Sequence, residues 1–421
     1  MRRLLFVIFL HLSGFVANAQ VVPIPKSFHP NLMGCIAYPE GNPLGQPFYE
    51  MGTTNRVIFE FDELLEDASE YHFAAFLCTH DWQLSTMSTS EYLQGFPSQE
   101  ITNVQHSFNT LIEYNHYRFE FPNDMMKIRL SGNYFVVVYT GDDATNESNW
   151  KIAYRLVAFE NLVGIGGKVQ ASSVIPDRFK NQEIDFIIQH TDYAIYDYQK
   201  DLHCAIYQNM NWSTCITNLK PVFIKGTELI YDFNLGENDF PGGAEFRNFE
   251  FKSMQYQSSS VDHLERREDG YHLFLRRDQA TGNRAQSSGI DINGNFFIRT
   301  DDGDDFGVES EYVWIHFSLA MPPLMDSEVM LDGRYFSMLS TPISLLYNES
   351  SKCYEGVAML KQGLYDYRYI TQDSYSSIQS TQLTEGNNAG TENTYYIIVY
   401  NNDRQTGHDR VIALKAMNSV K

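Results

Sequence analysis

Positive charge is in short supply. The 421-residue chain has 31 Lys and Arg against 53 Asp and Glu, a formal net charge of −22. Such a surface argues against nucleic acid and anionic membrane as partners and favours solubility. Cysteine is sparse too, at Cys35, Cys78, Cys204, Cys215 and Cys353. No CxxC occurs, so a zinc cluster is not expected. The odd number leaves at least one free thiol. Cys204 and Cys215 have two readings: a disulfide across a hairpin in an oxidising compartment, or two small buried hydrophobes. After the first twenty residues no stretch reaches about 18 unbroken apolar positions, so no direct membrane insertion is expected. Helical periodicity is nearly absent. The segment "SEYLQGF" (Ser90–Phe96) reads as one helical turn at most.

The first residues have their own pattern. "MRR" is a basic start, "LLFVIFLHLSGFV" an apolar core, and "ANA" (Ala17–Ala19) a small-x-small cleavage site. Residues 1–19 therefore read as a secretory signal peptide, with the mature chain expected to begin at Gln20. No Cys follows the cleavage site, so a lipoprotein anchor is not expected.

What fills the rest is β pattern. "NYFVVVYT" (Asn133–Thr140), "IAYRLVAFE" (Ile152–Glu160), "EIDFIIQHT" (Glu183–Thr191), "ELIYDF" (Glu228–Phe233), "YHLFLRR" (Tyr271–Arg277), "EYVWIHFSL" (Glu311–Leu319) and "NTYYIIVYN" (Asn393–Asn401) are short runs rich in β-branched and aromatic residues. Gly, Asn, Asp or Pro clusters bound them. The expected fold is all-β, with tandem immunoglobulin-like antiparallel sandwiches. Glycines in "NLVGIGGKV" (Asn161–Val169) and prolines in "MPPLMDSE" (Met321–Glu328) read as joints. They divide the mature chain into an N-terminal sandwich (20–160), a middle sandwich (161–320) and a C-terminal early-set, immunoglobulin-like β domain (321–421).

Motifs for chemistry fail on register. An EF-hand loop opened at Asp291 places Phe296 where the turn demands Gly, and Asp302 where a bidentate Glu is needed. Opened at Asp302, it places Phe306 at the fifth position. Asn293–Gly294 reads instead as a hairpin turn, and "DDGDD" (Asp301–Asp305) as a solvated loop. A P-loop ending on Gly167–Lys168 would need Gly at Leu162 and Ser or Thr at Val169. His80 and Asp81 would point to opposite faces of a strand. Neither HExxH nor GxSxG is present. Paired carboxylates for glycoside chemistry cannot be read from sequence, which keeps carbohydrate chemistry open. Glu245 and Arg247 read either as an ion pair or ligand clamp, or as a structural arginine capping loop carbonyls. No catalytic residue, cofactor or metal ligand is assigned.

A set of segments, in order, resembles one family. In the first domain they are His80 and Trp82, Glu91–Gly95, Ser107, Asn109 and Thr110, then Tyr114, His116 and Tyr117, Pro122, and Ser131–Tyr134 ("SGNY": Ser131, Gly132, Asn133, Tyr134). The middle part has "QNMNW" (Gln208–Trp212), "LKP" (Leu219–Pro221), "PGGAEFRNFEF" with Glu245 and Arg247, and "DINGNF" with Asp291 and Gly294, closed by "EYVWIHFSL". The last part has "VMLDGRYFSM" (Val329–Met338) and "YEGVAMLKQGLYDYRY" (Tyr354–Tyr369). The pattern resembles the plug protein of the type IX secretion system of the Bacteroidota. Ser337–Met338 stands where the family usually has Trp, and the cysteines lie outside its pattern. The resemblance implies a non-enzymatic, exported protein without a cofactor. It would act on the periplasmic side of the outer membrane, closing the lumen of the large β-barrel translocon. The alternative is a periplasmic carbohydrate-binding protein, since the last domain is similar to starch-binding domains with G-x-F and G-x-Y-x-Y segments.

Overall fold

The computed structural model describes residues 24–212, 214–282, 291–375 and 378–419. The expected signal peptide and its cleavage site lie outside the described residues. The fold is all-β, in several mainly antiparallel sheets. The α-helices among the described residues are single turns, Thr89–Tyr92, Phe306–Glu309 and Arg334–Ser337. The first is the turn expected in "SEYLQGF". It is held at its start by Ser88, whose amide donates to Glu91 at 2.7 Å.

The strands gather into three units. In the first, one sheet runs Lys26–Ser27, Trp150–Phe159, Gly132–Tyr139, His72–Cys78, Ser98–Glu100. It faces a second sheet of Leu32–Pro39, Val57–Glu63, Asn115–Phe121 and Val104–His106. Phe59, Phe61, Phe73, Tyr117, Val136 and Tyr154 pack between them. In the second unit, Gly164–Ala171, Asn181–Gln189, Glu228–Tyr231 and Phe223–Lys225 face Cys215–Thr217, Leu202–Gln208, Thr394–Asn402 and Asp409–Asn418. The third is one long sheet ordered Arg247–Phe251, Gly363–Asp373, Ser327–Asp332, Ser344–Asn348, Cys353–Lys361, Tyr312–Ala320, Gly270–Leu275, Val261–Arg267. Residues from both of its ends share one core, where Phe249 and Tyr367 meet Phe317 at ring separations of 5.8 and 5.2 Å. Parallel pairs interrupt the antiparallel rule, as where Tyr271–Phe274 runs beside Val313–His316.

Chain order and sheet order differ. The expected joint near 160 falls between strands of different units. Sheet pairing runs across the one near 320, because strands on both sides of it belong to the third unit. The chain then leaves that unit, and Thr394–Asn402 pairs with Leu202–Gln208 in the second.

Two local expectations need correction. The glycine run after Asn161, read as a joint, lies in the strand Gly164–Ala171, paired along its whole length with Asn181–Gln189. Gly167 lets that partner approach, since a Cβ there would lie 2.5 Å from the Asp185 carbonyl oxygen. Asn293–Gly294 is a tight turn with φ of +54° and +79°. The strand that follows it, Phe296–Ile298, takes Gly363–Asp373 as its partner rather than closing a hairpin on the turn.

The units stack face to face. Gly132–Tyr139 is buried along its whole length. Its Val136 and Val138 face the first core, while Phe135 and Val137 meet Tyr207, Ile398, Tyr400 and Val411 of the second unit. On the opposite side of the first unit, Ile36 joins the core of the third. Strands buried on both faces account for the unbroken apolar runs "FVVVY" and "YYIIVY".

Candidate functional site

Several of the residues singled out in the sequence lie at the seams between units. At the seam of units one and two, segment 79–83 is a turn and not a strand, with Trp82 at φ +66°. His80 accordingly does not face away from an acid. Asp409 Oδ2 lies 2.8 Å from both its backbone amide and its Nδ1. Burial raises the Asp409 carboxyl, but His80 and Asn402 outweigh it and hold the group down at about 2. The His80 ring stacks on His203 with 3.7 Å between centroids. Burial first, then the facing His80 and Lys220, pulls the His203 imidazole below its usual range.

Trp82 donates Nε1–H to the Tyr207 hydroxyl at 3.2 Å. The Arg155 guanidinium sits 4.3 Å from the Trp82 ring centre and 5.0 Å from that of Trp212. Asn133 donates to the Thr79 carbonyl at 3.0 Å and accepts from the Tyr400 hydroxyl at 3.1 Å. Ser131 donates to Glu160 at 3.2 Å, and Glu160 also accepts two hydrogen bonds from Arg410. Gly132 admits Leu77, whose Cδ1 a Cβ there would meet at 2.7 Å. Most of the "SGNY" segment therefore serves this seam. Tyr134 is the exception: it points into the first core and donates to the Leu130 carbonyl at 2.7 Å.

The seam of units one and three is built on a buried charge. Asp62 accepts from Lys361 Nζ, the Tyr312 hydroxyl and His116 Nδ1, each at 2.7 Å. Lys361 also donates to the Gly307 carbonyl at 2.6 Å and lies 4.1 Å from the Tyr114 ring centre. Burial pushes Asp62 up, yet Lys361 and His116 leave it below the usual carboxylate range. Burial pulls the Lys361 ammonium down, against the attraction of Asp62. A nearby loop docks on Glu311, which accepts the amides of Leu111 at 2.6 Å and Ile112 at 3.1 Å. Asn109 turns this loop at φ +58°, and Ser107 closes it by accepting from the Tyr114 amide at 3.0 Å. Tyr117 stays in the first core, donating to Glu63 at 2.9 Å. Beside the seam opens a groove of about 690 Å³, lined by Tyr38, Glu60, His116, Arg118, Asp305 and Phe306 among others.

Arg247 caps a backbone carbonyl, that of Gln279 at 2.8 Å, and also clamps two acids other than Glu245. It grips Glu385 through Nε at 3.0 Å and Nη2 at 2.8 Å, and Asp278 through Nη1 at 2.9 Å. It thereby pins the segment in which the chain returns to the second unit. Glu245 accepts from the Glu392 amide at 3.1 Å, in the same segment. Asp291 accepts from the Phe246 amide at 2.6 Å, and Gly294 lies so close under Phe246 that a Cβ would meet its ring at 2.6 Å. "DINGNF" and "AEFRNF" thus dock on each other.

Cys204 and Cys215 are free thiols, one buried and one exposed. Cys215 stands opposite Tyr207 rather than Cys204, and alternation sends Cys204 to the other face, toward Tyr231. The aromatics of the G-x-F and G-x-Y-x-Y segments, Tyr335, Phe336, Tyr365, Tyr367 and Tyr369, are core residues, so they present no stacking face to a sugar. Among the described residues, no group of three or more His, Cys, Asp or Glu side chains is placed to hold a metal. Asp409, Asp62, Lys361 and Glu385 carry no local sequence signal: Asp409 meets His80 329 positions away, Asp62 meets Lys361 299 away, and Glu385 meets Arg247 138 away.

Residues 34–156 match the family described as "Type 9 secretion system plug protein 1st domain". The match covers most of the first unit, from its second strand into the strand Trp150–Phe159. Among solved structures, the chain is similar to a hypothetical protein from Parabacteroides merdae ATCC 43184. That likeness has a TM-score of 0.89 at 28% identity, over 95% of this chain and 100% of the other. No curated protein matches the chain.

Proposed function

We propose, for a chain that carries the first domain of type 9 secretion system plug proteins over residues 34–156 and so belongs to that family, that it is the plug of the translocon itself. The matched domain ties the chain to type IX secretion. In the finer reading, the protein is exported to the periplasm, associates with the large outer-membrane β-barrel, and closes its lumen without catalysing a reaction.

One observation carries this reading. The family-matched unit is sandwiched between the other two, and several of the residues the family pattern marks, His80, Trp82, Ser131 and Asn133 among them, help lock the stack. A gate must stop a pore with bulk that does not yield. Sheets buried on both faces and sealed by charge-assisted hydrogen bonds are physically suited to that. No helix among the described residues is long and apolar enough to cross a membrane, so attachment through a partner is the arrangement we favour. Acidic surfaces remain hydrated against a polar barrel lumen.

The test is a deletion strain. Large, normally excluded solutes should cross its outer membrane, and full-length protein supplied in trans should restore the barrier. The barrel should also be recovered with this protein from detergent-solubilised outer membranes. Unchanged permeability in the deletion strain would sink the proposal.

A further inference from the structure

The outer face of the third unit carries a pair of imidazoles outside every seam described above. Strands Val261–Arg267, Gly270–Leu275 and Tyr312–Ala320 are neighbours there. Their inward side chains, Leu273, Ile315 and Phe317 among them, fill the core. On the other face His272 Nδ1 lies 2.9 Å from His316 Nε2. His272 Nε2 lies 2.9 Å from Asp269 Oδ1. An ionised carboxylate only accepts, so His272 donates through Nε2 and presents the Nδ1 lone pair. This is how a carboxylate orients a metal-ligating imidazole.

The spacing, which is that of a hydrogen bond between the two rings, also suits one coordination geometry. Two nitrogens at a right angle around an ion, with bonds of about 2.1 Å, stand roughly 3.0 Å apart, whereas a tetrahedral ion needs roughly 3.4 Å. We propose that His272 Nδ1 and His316 Nε2 form a two-imidazole site for a divalent transition ion of tetragonal preference, Cu(II) above Ni(II). That order follows the general affinity series, and imidazole suits both ions. Binding moves the ring proton of His316 from Nε2 to Nδ1, so both ligating nitrogens offer lone pairs and no proton is released. A groove of about 790 Å³ borders the pair on the His316 side, lined also by Ser318, Glu355 and Arg276 among others.

Two neighbours make the proposal sharp. Arg267 Nη1 lies 3.4 Å from His272 Nδ1 and repels a cation there, while Glu265 draws the guanidinium aside through Nε and Nη2 at 2.9 and 2.6 Å. His263 is separated from His316 by the Phe274 ring, which stacks on both at 4.3 and 4.0 Å. It is therefore a control and not a ligand.

The experiment uses the full mature chain without a polyhistidine tag, stripped with a chelator and titrated with Cu(II). Calorimetry gives affinity and stoichiometry, and electron paramagnetic resonance counts the ligating nitrogens. One ion per chain with two equatorial nitrogens is expected. H316A should abolish it and H263A should leave it intact. D269N should weaken it by about tenfold or more through loss of the orienting carboxylate, and R267A should tighten it severalfold. H316A and R267A alter partly exposed side chains, so both remain informative if substitutions at buried His272 fail to fold. No saturable binding in the micromolar range, or the same binding in H316A as in the unmodified chain, overturns the site.

Discussion

Lys361 is 2% exposed and 299 positions from the Asp62 it neutralises. Removing one member of such a pair strands the other charge in the interior, typically at a cost of 3–5 kcal/mol. We expect Lys361→Met to destabilise the protein by about that much in urea denaturation. D62N/K361M should recover a large part of the loss, and a double variant no more stable than the single one would show that Asp62 is not what Lys361 satisfies. Asp409 makes a prediction in pH. Its native value of about 2 lies below the ordinary 3.8. A depressed carboxyl contributes stability that is present above the unfolded value and lost as pH falls through the native one. The contribution is about 2.5 kcal/mol. The stability gap between the unmodified chain and D409N should hold at pH 5 and close between about pH 4 and 2. A gap independent of pH would contradict the His80–Asp409 contact. Neither partner was visible in sequence, because nothing near His80 or Asp62 in the chain marks Asp409 or Lys361.

At the scale of elements, periodicity was the readable signal. The seven apolar runs all became strands, and the single helical turn formed where Ser88 and Glu91 bracket it. Glycine was less readable, because its role depends on what approaches it. Gly167 is pressed by the Asp185 carbonyl, whereas Gly166 has nothing near the place of its missing Cβ. We expect G167A to cost about 1–3 kcal/mol by overpacking and G166A to be nearly neutral, compared by thermal melts. Equal melting temperatures for the two would mean the glycines serve only as a flexible bend. Asn293–Gly294 was correctly read as a turn but not as a hairpin, since turn chemistry fixes local backbone and not the distant strand that supplies the ladder.

For the whole molecule, the decisive event is the return of the chain. Thr394–Asn402 and Asp409–Asn418 complete the second unit and form the layer that meets the first. A protein ending at residue 393 should lose both contacts at once. We expect it to bind a hydrophobic dye and to melt without a cooperative transition, while the full mature chain melts cooperatively. A truncated protein with a sharp melt and no dye binding would refute a shared stack.

The sequence by itself determined the β class, the positions of the strands, the acidic surface and the family resemblance. Each of these follows from local pattern: alternation, turn residues, charge and ordered motifs. It also marked His80, Trp82, Ser131 and Asn133 without saying what they touch. Only the tertiary structure decided which strands share a sheet and which charges meet, because the pairings that join the units bring together segments far apart in the chain, as Leu202–Gln208 with Thr394–Asn402 and Asp62 with Lys361. Local propensity has no knowledge of such pairings; they are set when sheets with two apolar faces find partners that remove both from water.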